Sequence, residues 1–155
     1  MLIKGNKIAL AIAEASVTTT LEQAFDIAFD NKQKLEQYQA KQQARVQGKI
    51  TRRTLTNSIR DYVTANSDDL SDNYKKFIYN NCTDAVNRIV FGRSAKKLKE
   101  AWDCKDVRAA MTIEELMIVD SVERLAITLI DDQSFEPQTA IKEAGNRLLI
   151  KKIER

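Results

Sequence analysis

The sequence lacks histidine entirely and has only one proline, four glycines and two cysteines among its 155 residues. Without histidine, Ser-His-Asp and Cys-His catalysis and metal sites with imidazole ligands are excluded. The two cysteines, Cys82 and Cys104, are too few for a four-cysteine zinc site and form no CxxC motif. We therefore predict that the protein is not an enzyme, with no catalytic residues, no metal site and no cofactor.

The scarcity of proline and glycine also bears on the fold class, because both residues interrupt regular structure. Long helices are favoured over many short strands, and 43% hydrophobic residues suffice for a buried core. No run approaches the roughly 20 apolar residues that a membrane-spanning helix needs. The sequence predicts an all-α, cytoplasmic protein of about six helices in one compact, bundle-like domain, with no membrane contact.

Four helices are predicted to build the core domain, residues 49–155. The clearest of them lies between the N-cap Ser71 and the helix stop Gly92, where apolar residues recur every three or four positions. A capping-box pattern that begins at Thr112 precedes a helix with a broad apolar surface. The predicted core helices are 55–66, 72–91, 113–130 and 137–152.

Residues 1–48 are predicted to form a helical arm. The segment 16–20 has the composition of a helix breaker and cap, so a long polar helix is expected at 21–47, ending at Gly48. A helix this polar is seldom buried in its own domain and is expected to project, and without a sustained heptad it predicts no coiled coil. The candidate partner-binding residues are Leu35, Tyr38 and Gln42 in this helix and Trp102 in the core domain.

Positive charge is concentrated in two short clusters, although the net charge of the chain is only +3. The first cluster lies at 45–53 and includes the segment 49–54, which is predicted to be a basic linker. The second lies at 93–99, just after the helix stop. Such clusters are either solvated surface or contacts for phosphate. The candidate nucleic-acid-binding residues are Arg45, Lys49, Arg52, Arg53, Arg93, Lys96, Lys97 and Lys99.

Four segments between residues 54 and 132 are distinctive: TLTNSIRDYV, NYKKFIYNN, FGRSAKKL and SVERLA. Together they resemble C-terminal helical modules of bacteriophage and prophage proteins of the antirepressor type. It implies a role in regulating, or interfering with, a host or phage protein. The chain departs from that pattern because no KilA-N-like DNA-binding domain precedes the module, which puts direct DNA binding in doubt.

Three functions are consistent with these features. The first is a non-enzymatic regulatory protein of a phage or mobile element that acts mainly through contacts with a host or phage protein, as an antirepressor or as an inhibitor of a host factor. The second is a protein that binds nucleic acid directly through the basic clusters at 45–53 and 93–99. The third is a structural homo-oligomer.

Overall fold

The computed structural model describes the backbone of residues 2–153 and the side chains of residues 10–153. Within that range the chain is all-α, with six helices and no strand, which confirms the predicted fold class. No helix in this part of the chain is long and apolar enough to cross a membrane. The helices are α1 (Leu2–Ala65), α2 (Asp72–Phe91), α3 (Ala95–Ala101), α4 (Val107–Ala110), α5 (Ile113–Gln133) and α6 (Pro137–Arg147).

Helix α1 is much longer than predicted and has none of the predicted interruptions. At residues 16–20 the hydroxyls of Ser16, Thr18 and Thr20 donate to carbonyls four residues earlier, so these side chains bond within the continuing helix instead of capping a new one. Gly48 is buried inside the helix, and its carbonyl accepts a hydrogen bond from Arg108 at 3.4 Å. The predicted helix end at Gly48 and the predicted linker at 49–54 are therefore wrong.

The chain divides into two units between Ala40 and Lys41. We call residues 2–40 the N-terminal segment and residues 41–153 the body. Every residue from 10 to 40 is exposed to solvent. The division lies inside α1, on the N-terminal side of the boundary at residue 48 that the sequence suggested.

The core of the body is built by α2, α5 and α6, which pack against one another in pairs. The C-terminal part of α1 adds Leu55 and Ile59, whose side chains are 0% and 2% exposed. Ser71 accepts a hydrogen bond from the Tyr74 N–H, and Gly92 ends α2 with a φ of 71°. These two residues confirm the predicted limits of α2.

The capping box before α5 is also present. The N–H of Thr112 donates to Glu115 at 2.8 Å, and the N–H of Glu115 donates to the Thr112 hydroxyl at 3.2 Å. These reciprocal bonds satisfy two backbone donors at the start of the helix. They fix the N-terminus of the helix that carries Glu123, the buried acid of the site described below.

Gly145 brings α6 close to α2. A Cβ at this position would lie 2.7 Å from Cγ2 of Ile89. We expect Gly145→Ala to lower the free energy of unfolding by about 2 kcal/mol, because the overpacking outweighs the gain of about 1 kcal/mol in helix propensity. Gly48→Ala is the matched control: its Cβ would meet Arg108 at 3.6 Å, an ordinary contact, so that variant should be stabilised by up to about 1 kcal/mol. Urea unfolding of both variants measures the difference, and equal effects would contradict it.

Glu136 makes the stability of the body depend on pH. Burial alone would raise the pKa of its carboxyl, but hydrogen bonds from the Tyr74 hydroxyl and from the backbone of Thr139 and Gln138 outweigh burial and lower that pKa. Because the pKa in the folded state lies below that of the unfolded chain, ionised Glu136 stabilises the fold at neutral pH. That contribution is lost as the pH falls from the ordinary value of 4.5 through the folded pKa.

The Tyr74→Phe substitution tests this linkage. We expect it to lower the free energy of unfolding by about 1.5 kcal/mol at neutral pH, because it removes a hydrogen bond to a charged acceptor. The difference from wild type should shrink as the pH falls through the folded pKa of Glu136, which lies below 4.5, because the carboxyl of the folded protein is then protonated. Chemical unfolding of both proteins across this pH range is the measurement. An identical difference at every pH would show that Tyr74 does not act through Glu136.

Candidate nucleic-acid interface

The first basic cluster forms a single row along one face of α1. Because the helix continues through residues 49–54, cations four, seven and eight residues apart share one face. Residues 45 to 57 extend over about 18 Å at 1.5 Å per residue, which is about the length of five phosphates along one strand of a duplex. The cations of this row are Arg45, Lys49, Arg52 and Arg53.

Helix α4 adds a further arginine, Arg108, and together these side chains line a groove with a volume of about 440 Å³. Asp106 is the one acidic side chain among the residues that line it, and Leu116 gives it an apolar patch. We call this feature the basic groove and define it by Arg45, Lys49, Arg52, Arg53 and Arg108. Thr56 and Asn57 extend its polar lining at the C-terminal end of the row.

Two of the five cations are held by one buried acid, Glu123 of α5. Its side chain is 0% exposed, whereas those of Arg52 and Arg108 are 26% and 30% exposed. Oε1 of Glu123 accepts a hydrogen bond from Arg52 at 3.2 Å and a second one from Arg108. Arg52 also donates to the hydroxyl of Thr83 on α2. The two guanidinium groups are thereby fixed between four helices, with their outer edges toward solvent.

Glu123 is therefore a positioning residue for the groove. A buried charge is costly unless it is paired, and here one carboxylate serves two arginines. The other oxygen, Oε2, is buried and has no hydrogen-bond partner among the residues whose side chains are described. The pairing limits the rotamers of Arg52 and Arg108, so less entropy is lost when an anion binds to them. Arg45, Lys49 and Arg53 form no ion pair with any residue whose side chain the structure describes.

The second basic cluster is only partly connected to the groove. A cavity of about 380 Å³ is lined by Lys99, Lys105 and Glu123, and also by Arg52 and Arg108, which line the basic groove as well. Lys99 is therefore close to the groove arginines and extends their positive region.

The other residues of the second cluster lie elsewhere. Arg93 lines a separate cavity beside Phe91 and Trp102. Lys96 and Lys97 are exposed on α3. The cluster at 93–99 is thus not one site, and of its four candidates the fold brings Lys99 alone beside the groove arginines.

The candidate partner-binding residues have different environments. Leu35 and Tyr38 are 56% and 63% exposed, three residues apart on the N-terminal segment. Gln42 is half-buried at the start of the body. Trp102 is half-buried, and its ring meets Phe91 edge-on with 5.1 Å between ring centroids. Trp102 thus contributes to the packing of the body, whereas Leu35 and Tyr38 lie on an open helix surface.

Sequence reasoning missed Arg108 and Glu123. Nothing in the sequence connects Arg108 to a row of cations about 60 residues earlier, because only the tertiary fold brings them together. The sequence does indicate that Glu123 is unusual, because it is a charged residue beside Val122 and Ala126 on the apolar surface of a helix. A buried acid at such a position requires a cationic partner. Among the described side chains, no three His, Cys, Asp or Glu residues lie close enough together to hold a metal ion.

Comparison with known proteins assigns neither a family nor a function to this chain. No protein-family model, no curated protein and no solved structure matches this chain. The resemblance to antirepressor modules of phages stays a prediction, and the geometry of the site carries the functional argument.

Proposed function

We propose that this protein is a non-enzymatic binding protein that holds the phosphate backbone of nucleic acid in the basic groove. The observation that carries the proposal is the row of cations on α1, joined by Arg108; Asp106 is the one acid in the lining, and Glu123 is paired with two of the five cations. The guanidinium group of arginine suits phosphate because it can donate two parallel hydrogen bonds to phosphate oxygens. The groove has no histidine and no cluster of carboxylates, so it suits binding and not hydrolysis.

The affinity should be moderate and should depend little on base sequence. Half of the residues that line the groove are Lys or Arg. These side chains contact phosphates, and phosphate contacts fix position without reading sequence. Arg45, Lys49 and Arg53 give about three unpaired charges. About three phosphates neutralised on a duplex predict a slope near −3 for the logarithm of the binding constant against the logarithm of salt concentration.

Fluorescence anisotropy with a labelled oligonucleotide of about 20 nucleotides tests the proposal. The titration is made with mixed-sequence DNA and RNA, between about 50 and 200 mM salt. We expect saturable binding that weakens steeply as the salt concentration rises. The proposal is rejected if neither nucleic acid binds at the lowest salt concentration, or if the affinity does not respond to salt.

Regulation through contact with a host or phage protein is the second candidate function. It is favoured by the exposed apolar side chains of the N-terminal segment, among them Leu21, Phe25 and Phe29, each more than half exposed. Under this candidate the oligonucleotide should not bind in that titration, and binding to the protein partner should respond little to salt. The origin in a phage or mobile element belongs to this candidate and rests on the resemblance alone.

A further inference from the structure

The N-terminal segment has large apolar side chains exposed to solvent along much of its length. Between residues 10 and 29, seven large apolar side chains are between 54% and 72% exposed. Most of the stability of protein helices comes from packing of an apolar face, and this segment packs against nothing within itself. Leu10, Val17 and Leu21 among them belong to the seam described next, whereas the others lie off it; these are Ile12, Phe25, Ile27 and Phe29.

The continuity of α1 reveals a seam that the predicted break at residues 16–20 had hidden. In one uninterrupted helix, Leu10, Val17, Leu21, Ala24, Ala28, Asn31, Leu35 and Tyr38 follow one another at steps of seven, four and three. Such steps place them along a single stripe with the spacing of a two-helix coiled coil. Glu14 occupies the seam position between Leu10 and Val17. Asn31 is the one amide side chain in the seam, and asparagine commonly fixes the register of coiled coils.

The charge along α1 indicates how a second helix would run. Within the N-terminal segment, residues 10–31 have four acids and no base, whereas residues 32–40 have two bases, Lys32 and Lys34, and one acid. A parallel copy would place acid beside acid along the first half. An antiparallel copy instead places acids of each segment, such as Asp26, beside Lys32 and Lys34 of the other segment. We propose that the N-terminal segment pairs with that of a second copy of this chain, as an antiparallel two-helix coiled coil.

The side chains of the seam select one register for this pairing. With the two-fold axis between residues 29 and 30, Leu21 faces Tyr38 of the second copy, and Ala24 faces Leu35 of the second copy. Asn31 then lies beside the axis, next to Ala28 of the second copy. Ala24 and Ala28 each meet a larger residue, which favours close packing in those layers. A parallel pair would instead place Ala24 on Ala24 and Tyr38 on Tyr38, leaving a void in one layer and crowding in the other.

Sedimentation equilibrium measures the assembly itself. We expect wild type to be a dimer, twice the chain mass of 17.6 kDa, at micromolar concentration. Leu35→Glu should shift the dimer to a monomer, because it places a charge in the seam. Gln33→Glu is the matched control, with the same introduced carboxylate on the face away from the seam, and it should stay dimeric. A wild-type monomer at all concentrations, or a larger oligomer, would overturn the proposal.

Thiol cross-linking determines direction and register, and it does not depend on a destabilising variant. Ala24→Cys and Leu35→Cys are combined in one chain and treated with a short thiol-reactive cross-linker. Wild type, with Cys82 buried and Cys104 half-buried, gives the background. The antiparallel register predicts cross-linked peptides that join position 24 to position 35, and little cross-linking of either single variant to itself. Links of 24 to 24 and 35 to 35 would show a parallel pair and contradict the proposal.

Discussion

Glu123→Gln is expected to lower the free energy of unfolding of the body by about 3 kcal/mol, although it replaces only one carboxylate oxygen with an NH2 group. The carboxylate is 0% exposed and compensates the charges of both Arg52 and Arg108. Removing one partner from a buried ion pair leaves uncompensated charge in a site of low dielectric, and typically costs about 3–5 kcal/mol. The partial exposure of the two arginines places the expected loss at the lower end. Urea unfolding at neutral pH is the measurement.

Glu100→Gln provides the control for that experiment. It makes the same chemical change at an exposed position on α3. Surface substitutions of this kind change stability by less than about 0.5 kcal/mol. If Glu123→Gln were no more destabilising than Glu100→Gln, Glu123 would not organise the two arginines and the preorganisation of the groove would be disproved.

Reversing the charge of the groove is the second large effect that we expect. The double variant Lys49→Glu with Arg53→Glu should weaken binding of the labelled oligonucleotide at least about 100-fold, and should make the salt slope shallower by about 2. Both side chains are exposed, and neither belongs to the Glu123 pairs, so the body should keep its fold. Anisotropy titration measures the affinity, and thermal unfolding verifies the fold.

The double variant Lys96→Glu with Lys97→Glu is matched in charge. Each pair of substitutions changes the net charge from +3 by −4, to −1. Lys96 and Lys97 are exposed on α3 and are not among the residues that line the basic groove. The control should therefore retain its affinity within about threefold. Equal losses in both variants would mean that net charge governs binding, and a larger loss in the control would move the site to the second cluster.

Local signals in the sequence were sufficient for much of the body. Ser71, Gly92 and Thr112 act at the helix ends through contacts with their immediate neighbours, so their roles follow from residue type and spacing. The all-α class follows equally from the scarcity of proline and glycine. These features were predictable because the interactions that produce them lie within a few residues of one another.

The prediction for α1 failed because tertiary context overrode local preference. Gly48 is a common helix stop, but here it is buried and its carbonyl accepts a hydrogen bond from Arg108. The hydroxyls at 16–20 have two hydrogen-bonding options, and in this helix they bond back to preceding carbonyls. The incorrect break divided one row of cations between a helix and a linker, so the groove was not recognised as a single face.

The candidate site was predictable only in part, because some of its residues come together only in the folded structure. Arg45, Lys49, Arg52 and Arg53 were found as a cluster of charge, which requires no fold. The contribution of Arg108, the pairing with Glu123 and the separation of Lys99 from Lys96 all depend on which helices meet. The spacing of residues along the chain does not indicate which helices pack against one another.

Cross-linking of a bound oligonucleotide, followed by peptide mass mapping, tests the central claim most directly. A photoreactive oligonucleotide of mixed sequence, about 20 nucleotides long, is bound at low salt and irradiated. The basic groove predicts cross-links in peptides that contain residues 45–57 of α1 and residues 106–116, which line the groove from the other side. Cross-links confined to residues 93–99, or a complete absence of cross-links under conditions of saturating binding, would contradict the assignment of the groove as the nucleic-acid site.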